Sequence, residues 1–209
     1  MKSLAFALAL LASTAAIAAP APFEPLDLYR LSMVTDPKVS PDGQRIAFTR
    51  TLFDIQTDSR QGEVWLATIA GKAVDKRLLI GAGSKASGVA WSPDGKRIAY
   101  VGPWLGKPQL WVMDVDLGVG RVVTTGKIAP ENLVWSPDGS RIAFSGRAET
   151  PAPAIPGMPK KPEGATWAAD AKVISSFRYR GDAAGYTPAG NQQLYVAAVD
   201  GGTPPEALT

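Results

Sequence analysis

Cysteine and histidine are both absent from the 209 residues of this chain. Without cysteine there is no disulfide, no thiolate nucleophile and no thiolate metal ligand. Without histidine there is no imidazole to carry a proton away from a serine, so a Ser-His-Asp triad cannot be assembled from these residues. A zinc site built on histidine ligands is excluded too, and no metal or cofactor is expected. Concentrated charge is also missing. The formal net charge is +3, and Lys160-Lys161 is the sole pair of adjacent lysines. A nucleic-acid-binding surface wants a clustered basic face, so no nucleic-acid partner is expected.

Hydrophobic residues make up 45% of the chain and charged residues 20%, which is ordinary for a globular protein. Glycine and proline, at 21 and 18 residues, favour frequent turns and short strands over long helices. The longest apolar run lies at the start. Lys2 is followed by an apolar stretch over Leu4–Leu11, then by small residues ending Ala16-Ile17-Ala18. This is the three-part layout of a secretory signal at 1–18, with cleavage after Ala18. Its apolar stretch is shorter than the roughly 20 residues that span a bilayer. The mature chain is therefore expected to be exported, to a periplasm or beyond, with no membrane span.

One ten-residue unit recurs three times: Val39–Phe48, Trp91–Tyr100 and Trp135–Phe144, with seven of ten positions identical in all three. Ser-Pro-Asp-Gly is a tight turn in which Pro presets φ and Gly accepts positive φ. The Arg-Ile-Ala-aromatic continuation alternates: Ile98 and Tyr100 point one way, Ala99 and Val101 the other. Period two with β-branched and aromatic residues predicts a strand. Val89–Trp91 and Leu133–Trp135 supply short partner strands. Third strands, apolar on both faces, are predicted over 63–68, 109–115 and 193–199, and weaker fourth strands over 77–80, 121–124 and 206–209. Four doubly covered strands repeating at 52 and 44 residues (Ser40 to Ser92 to Ser136) describe propeller blades rather than a β-sandwich.

The expected fold is thus all-β: a partial β-propeller of about three four-stranded blades, part of a larger propeller. Residues 19–36 form a lead-in, and the blades cover about 37–82, 85–126 and 128–209. The third blade is interrupted by an insertion over 147–190. Its first part is proline-rich (Pro151, Pro153, Pro156, Pro159, Pro162), and its later part, 172–182, reads as a strand running into a turn. Long insertions on rigid scaffolds often carry recognition. Arg178 and Arg180, on one side of such a strand, are the candidate substrate-binding residues, since Arg grips a carboxylate through two parallel hydrogen bonds. The competing reading gives both a solvent-facing role in ion pairs.

The Ser-Pro-Asp-Gly-x-Arg-Ile-Ala-aromatic repeat resembles the propeller repeats of TolB-type proteins and of the prolyl oligopeptidase family. Asp27–Leu31 followed by Val34–Gly43 is similar to the propeller start of bacterial dipeptidyl or acylaminoacyl peptidases of that family. So are Phe177–Asp182 with Gly185-Tyr186, and Leu194–Val196 closing on Asp200-Gly201-Gly202. The resemblance implies an exported serine peptidase acting on short peptides, whose propeller gates access to a C-terminal α/β-hydrolase domain. That domain carries a Gly-x-Ser-x-Gly elbow, an Asp and a His, none of it found here, so no catalytic residue is assigned. No adjacent Glu pair of the kind that holds a peptide amino terminus is present. A non-enzymatic TolB-like propeller that binds protein partners is the alternative, as is a binding propeller with no attached domain. The first repeat begins too early to leave room for the separate domain that precedes a TolB propeller.

Overall fold

Each Ser-Pro-Asp-Gly turn builds itself in the same way. The glycine N–H closes on the serine carbonyl at 2.9 Å in all three copies. Gly43, Gly95 and Gly139 take φ of 73°, 68° and 67°, a region that only glycine enters without strain. The serine hydroxyl donates to the aspartate Oδ1 two residues on and accepts the N–H of Arg45, Arg97 or Arg141 at 2.9 Å. The turn thereby delivers the chain antiparallel to itself, with side chains of known facing.

The computed structural model describes residues 22–148, 150, 155, 157–168, 173–174, 177, 179–182, 185–187 and 190–209. The signal segment 1–18, much of the insertion and Arg178 lie outside the described residues. A short 3-10 helix, Pro25–Arg30, leads into the first sheet. That sheet is formed by β1 (Ser32–Val39), β2 (Arg45–Asp54), β3 (Ser59–Ala70) and β4 (Ala73–Ile80), hydrogen-bonded in that order. The second is formed by β5 (Ser87–Trp91), β6 (Arg97–Trp104), β7 (Lys107–Asp114) and β8 (Gly120–Val122), again in sequence order. In the third, β9 (Glu131–Trp135) and β10 (Arg141–Ala148) precede a two-stranded hairpin, β11 (Arg180–Gly181) with β12 (Gly185–Tyr186). The third sheet is then completed by β13 (Asn191–Ala198) and β14 (Glu206–Ala207).

These three antiparallel four-stranded meanders are the blades of a partial propeller, the fold expected from the repeat. The inner strands β1, β5 and β9 lie side by side, and each sheet covers the next. Alternation decides what each face does. Ile98, Tyr100 and Met113 of the second blade join Ala47, Val64 and Leu66 of the first in one buried cluster. Ala99, Leu110 and Val112 point the other way, into a second cluster with Ile142, Phe144 and Tyr195 of the third blade. Both faces of the middle sheet are therefore covered, which is why β6 and β7 carry apolar residues on both sides.

The inner strands differ from the sequence expectation. The first strand opens at Ser32, ahead of the expected start of the blades at residue 37. It pairs with β2 from Ser32 to Thr35, then skips to Lys38. The skip is a bulge, and the same bulge recurs in β5 and β9. Asp36, Gly88 and Asn132 occupy it with φ of 51°, 65° and 54°. Asp, Gly and Asn are the residues that tolerate this left-handed conformation best, so the three positions share a geometry without sharing an identity. In the insertion beyond β10, strand structure among the described residues is confined to the β11–β12 hairpin; of the stretch 172–182, expected to run as a strand into a turn, residues 172, 175, 176 and 178 lie outside the described residues.

Candidate functional site

The first half of the site is a clasp that fixes one blade to the next. Arg45, at the start of β2, donates from Nη2 to the carbonyl of Gly95 in the turn of the second blade, at 2.7 Å. Its guanidinium lies 5.2 Å from the centre of the Trp91 ring. Trp91 in turn donates from Nε1 to the carbonyl of Lys38, back in the first blade, at 2.8 Å. One repeat later the arrangement recurs. Arg97 donates to the Gly139 carbonyl at 3.2 Å, stands 5.1 Å from the Trp135 ring, and Trp135 donates to the Ala90 carbonyl at 3.1 Å. Two charge-assisted hydrogen bonds and two cation–π contacts thus reuse the Arg and turn Gly that the repeat supplies at every blade and the Trp that it supplies at the second and third.

Between the inner strands the clasps leave an open groove of about 480 Å³. Its walls are Pro37, Lys38 and Val39 from β1, Trp91 and Pro93 from the second blade, and Val134 and Trp135 from β9. The groove is largely apolar and aromatic. Its one cation, Lys38, is paired with Asp36 at 2.7 Å. Such a surface suits apolar side chains of a peptide, with the Lys38 ammonium as a single polar fixture.

The turn carboxylates are held below the usual carboxylate range, as is Asp54, lowered first by the Thr57 hydroxyl. Asp138 is pulled down to about 2, first by the Ser136 hydroxyl and then by the N–H and hydroxyl of Ser140. Asp42 and Asp94 are lowered for the same reason, by the hydroxyls of Ser40 and Ser92. These carboxylates are acceptors locked into turns, not general acids or bases. Tyr100, buried between the first two blades, is raised to about 12 by desolvation. Among the described residues no cluster of three metal-ligating side chains occurs.

Arg180 lies on β11, exposed, opposite Tyr186 in the short hairpin. The hairpin is tied by the Thr187 N–H to the Tyr179 carbonyl at 2.8 Å and by a Tyr179–Tyr186 ring contact at 6.3 Å. Arg180 does not line the groove. Lys38, Trp91 and Trp135, which do, were not singled out as site residues from the sequence. The available signal is the recurrence of Trp ahead of the turn, which by pattern alone reads as the end of a short partner strand.

No family model matches the chain. It is 32% identical over 101 residues to the uncharacterized peptidase YuxL of Bacillus subtilis (strain 168), a stretch covering 47% of this chain and 15% of that protein. Its fold is similar to that of Pyrococcus horikoshii acylaminoacyl peptidase, with a TM-score of 0.58 and 16% identity, over 87% of this chain and 25% of that one. It is also similar to a putative TolB from Agrobacterium tumefaciens, with a TM-score of 0.50 and 19% identity, over 84% of this chain and 50% of that one. The chain therefore spans well under two thirds of the proteins it matches. The likeness to both groups agrees with the resemblance carried by its repeat, that of a propeller portion. Among the described residues no helix is long and apolar enough to cross a membrane.

Proposed function

We propose that this chain is the propeller portion of an exported serine peptidase of the prolyl oligopeptidase type, acting on short peptides. The observation that carries the reading is the 32% identity, over 101 residues, to an uncharacterized peptidase. With no histidine in the chain, the nucleophile and its base belong to a separate C-terminal α/β-hydrolase domain. The propeller's part is to admit and orient the peptide. The apolar groove between the inner strands receives its side chains, and Arg178 and Arg180 of the insertion hold a carboxylate. The leader ending at Ala18 directs export to the periplasm.

The likeness to a TolB propeller favours a second reading, a non-catalytic propeller that binds protein partners. An antibody against this chain separates the two. The native protein, captured from envelope extracts, is treated with a fluorophosphonate probe and assayed on short peptides. A labelled polypeptide longer than 209 residues that cleaves them supports the peptidase. An unlabelled protein recovered with a stoichiometric protein partner supports the TolB-like reading. In the intact enzyme, Arg180→Ala is expected to lower kcat/KM about tenfold on substrates with a free carboxylate and to leave amidated ones unchanged, the loss of one charge-assisted contact. Equal rates on both would remove Arg180 from the site.

A further inference from the structure

The boundary between the first two blades is closed by charge. Besides its bond to the Gly95 carbonyl, Arg45 meets the Asp116 carboxylate through Nη1 at 3.3 Å, and Arg77 donates to the carbonyl of Val115. The boundary between the second and third blades repeats the frame without that closure. Arg97 and Arg121 stand where Arg45 and Arg77 stand, and they donate to the carbonyls of Gly139 and Asp200. Asp200 takes the place of Asp116. The residue before each, Val199 or Val115, makes the same backbone bond to the turn of its own blade. The Asp200 carboxylate, however, accepts the Gly202 N–H at 3.3 Å. Among the described residues no carboxylate lies within ion-pair distance of Arg97 or Arg121.

A pocket of about 240 Å³ opens at this place, walled by Arg97, Arg121, Asp114, Leu117 and Val119 over a floor of Val112. The apolar walls come from a change in one connection. The first blade turns from β3 to β4 through Gly71-Lys72, whereas the second runs from β7 to β8 through Val115–Val119. That longer loop is fixed from both ends. The Asp114 N–H meets the Val119 carbonyl and the Gly118 N–H meets the Asp114 carbonyl, both at 2.9 Å. Asp114 Oδ1 accepts the N–H groups of Asp116 and Leu117 at 3.0 and 2.9 Å, and its Oδ2 holds no hydrogen bond among the described residues. The loop sets Leu117 and Val119 at the pocket mouth, 77% and 67% exposed. Two cations, one half-engaged carboxylate and three apolar side chains thus converge on one small space.

We propose that this pocket binds a free apolar α-amino acid. Its carboxylate lies between Arg97 and Arg121, its ammonium meets Asp114 Oδ2, and its side chain covers Val112, Leu117 and Val119. The charges select this class: the carboxyl end of a longer peptide or a fatty acid brings the anion without the ammonium. The volume suits a single residue. The ligand carboxylate does at the second boundary what Asp116 does at the first, so binding also stabilises the joint between the blades. The inference stands apart from the peptidase reading and from the groove between the inner strands.

The test titrates the full chain with leucine, N-acetyl-leucine and leucinamide and follows its amide resonances. Leucine is expected to shift the amides of 112–121 saturably and to raise the urea midpoint. The two capped probes, each short of one charged contact, bind about tenfold more weakly or worse. Asp114→Asn keeps the acceptor for the loop N–H groups. It weakens leucine about tenfold and does not weaken N-acetyl-leucine. Arg121→Gln weakens leucine and N-acetyl-leucine but not leucinamide. Leu117→Asp, at an exposed position that the fold does not rely on, blocks all three and keeps the test open should a charge variant unfold. Four outcomes overturn the proposal. Leucine gives no saturable shift over 112–121; the three probes bind equally; a charge variant weakens all three alike, as a merely structural loss does; or Leu117→Asp binds leucine as the wild type does. No readout involves peptidase activity, so failure here leaves the peptidase reading standing, and failure of that reading leaves the pocket.

Discussion

The guanidinium carbon of Arg97 lies 5.1 Å from the centre of the Trp135 ring, across the boundary between the second and third blades. The same side chain donates to the carbonyl of Gly139, so one residue grips both the ring and the turn of its neighbour. A cation–π contact contributes about 0.5–2 kcal/mol, and a hydrogen bond from a charged donor about 1.5–3 kcal/mol. Arg97→Ala is expected to destabilise the chain by about 2–3 kcal/mol, measured by urea unfolding. Arg97→Lys recovers less than half of that, because a single ammonium cannot serve the ring and the carbonyl with one planar group.

The three turn carboxylates, together with Asp54, set the acid limb of stability. Asp138 is held at about 2, and Asp42 and Asp94 are also lowered, against about 3.9 in an unfolded chain. A carboxyl group with a depressed folded-state value stabilises the fold above its unfolded value. That contribution is lost as pH falls through the folded one. The urea midpoint is expected to hold down to about pH 4 and then to fall towards pH 2. Asp138→Asn, which keeps the acceptor oxygen and drops the charge, flattens that fall. A midpoint that declines equally steeply in wild type and Asp138→Asn would assign the acid limb to other groups.

Equivalent leucines are expected to behave differently. Leu110, fully buried between the second and third blades, loses about 2–5 kcal/mol on replacement by alanine. Leu194, its counterpart in the third blade, is half exposed, and its replacement by alanine costs less than about 1 kcal/mol in the same chain. Equal losses at the two sites would mean that the third sheet is covered on both faces.

Gly62 in β3 passes so close to the backbone of the segment leading into β5 that an added Cβ would stand 2.2 Å from the Ala86 carbonyl oxygen. The obstacle is main chain, which cannot swing aside as a side-chain tip can. Gly62→Ala is expected to cost about 2 kcal/mol or more and to lower the melting temperature of the chain.

The blades were legible because the turn writes its own geometry: Pro, Asp and Gly each answer a local need, and period two carries the facing onwards to Ile98 and Ala99. The insertion was less so. Its polar, proline-rich run has neither period two nor 3.6, and only the β11–β12 hairpin takes strand form among the described residues. The inner-strand bulges were hidden because Asp36, Gly88 and Asn132 meet one backbone requirement with three different residues. The clasp was hidden for the opposite reason. Arg45, Arg97 and Arg141 are invariant in the repeat, yet an arginine that opens a strand reads as solvent-facing until the neighbouring blade is in place. As for Arg178 and Arg180, nothing in the local pattern fixes where an insertion hairpin points, since that depends on contacts far along the chain.

The stacking of successive sheets around a common axis is tested most directly by a double-mutant cycle on Arg97 and Trp135, using Arg97→Ala, Trp135→Leu and the pair, with stability read from urea unfolding. The two residues are 38 positions apart and belong to different sheets, so they couple only if those sheets meet as blades do. A coupling energy of about 1–2 kcal/mol is expected, in the range for residues in direct contact. Strict additivity of the two single losses would contradict the arrangement.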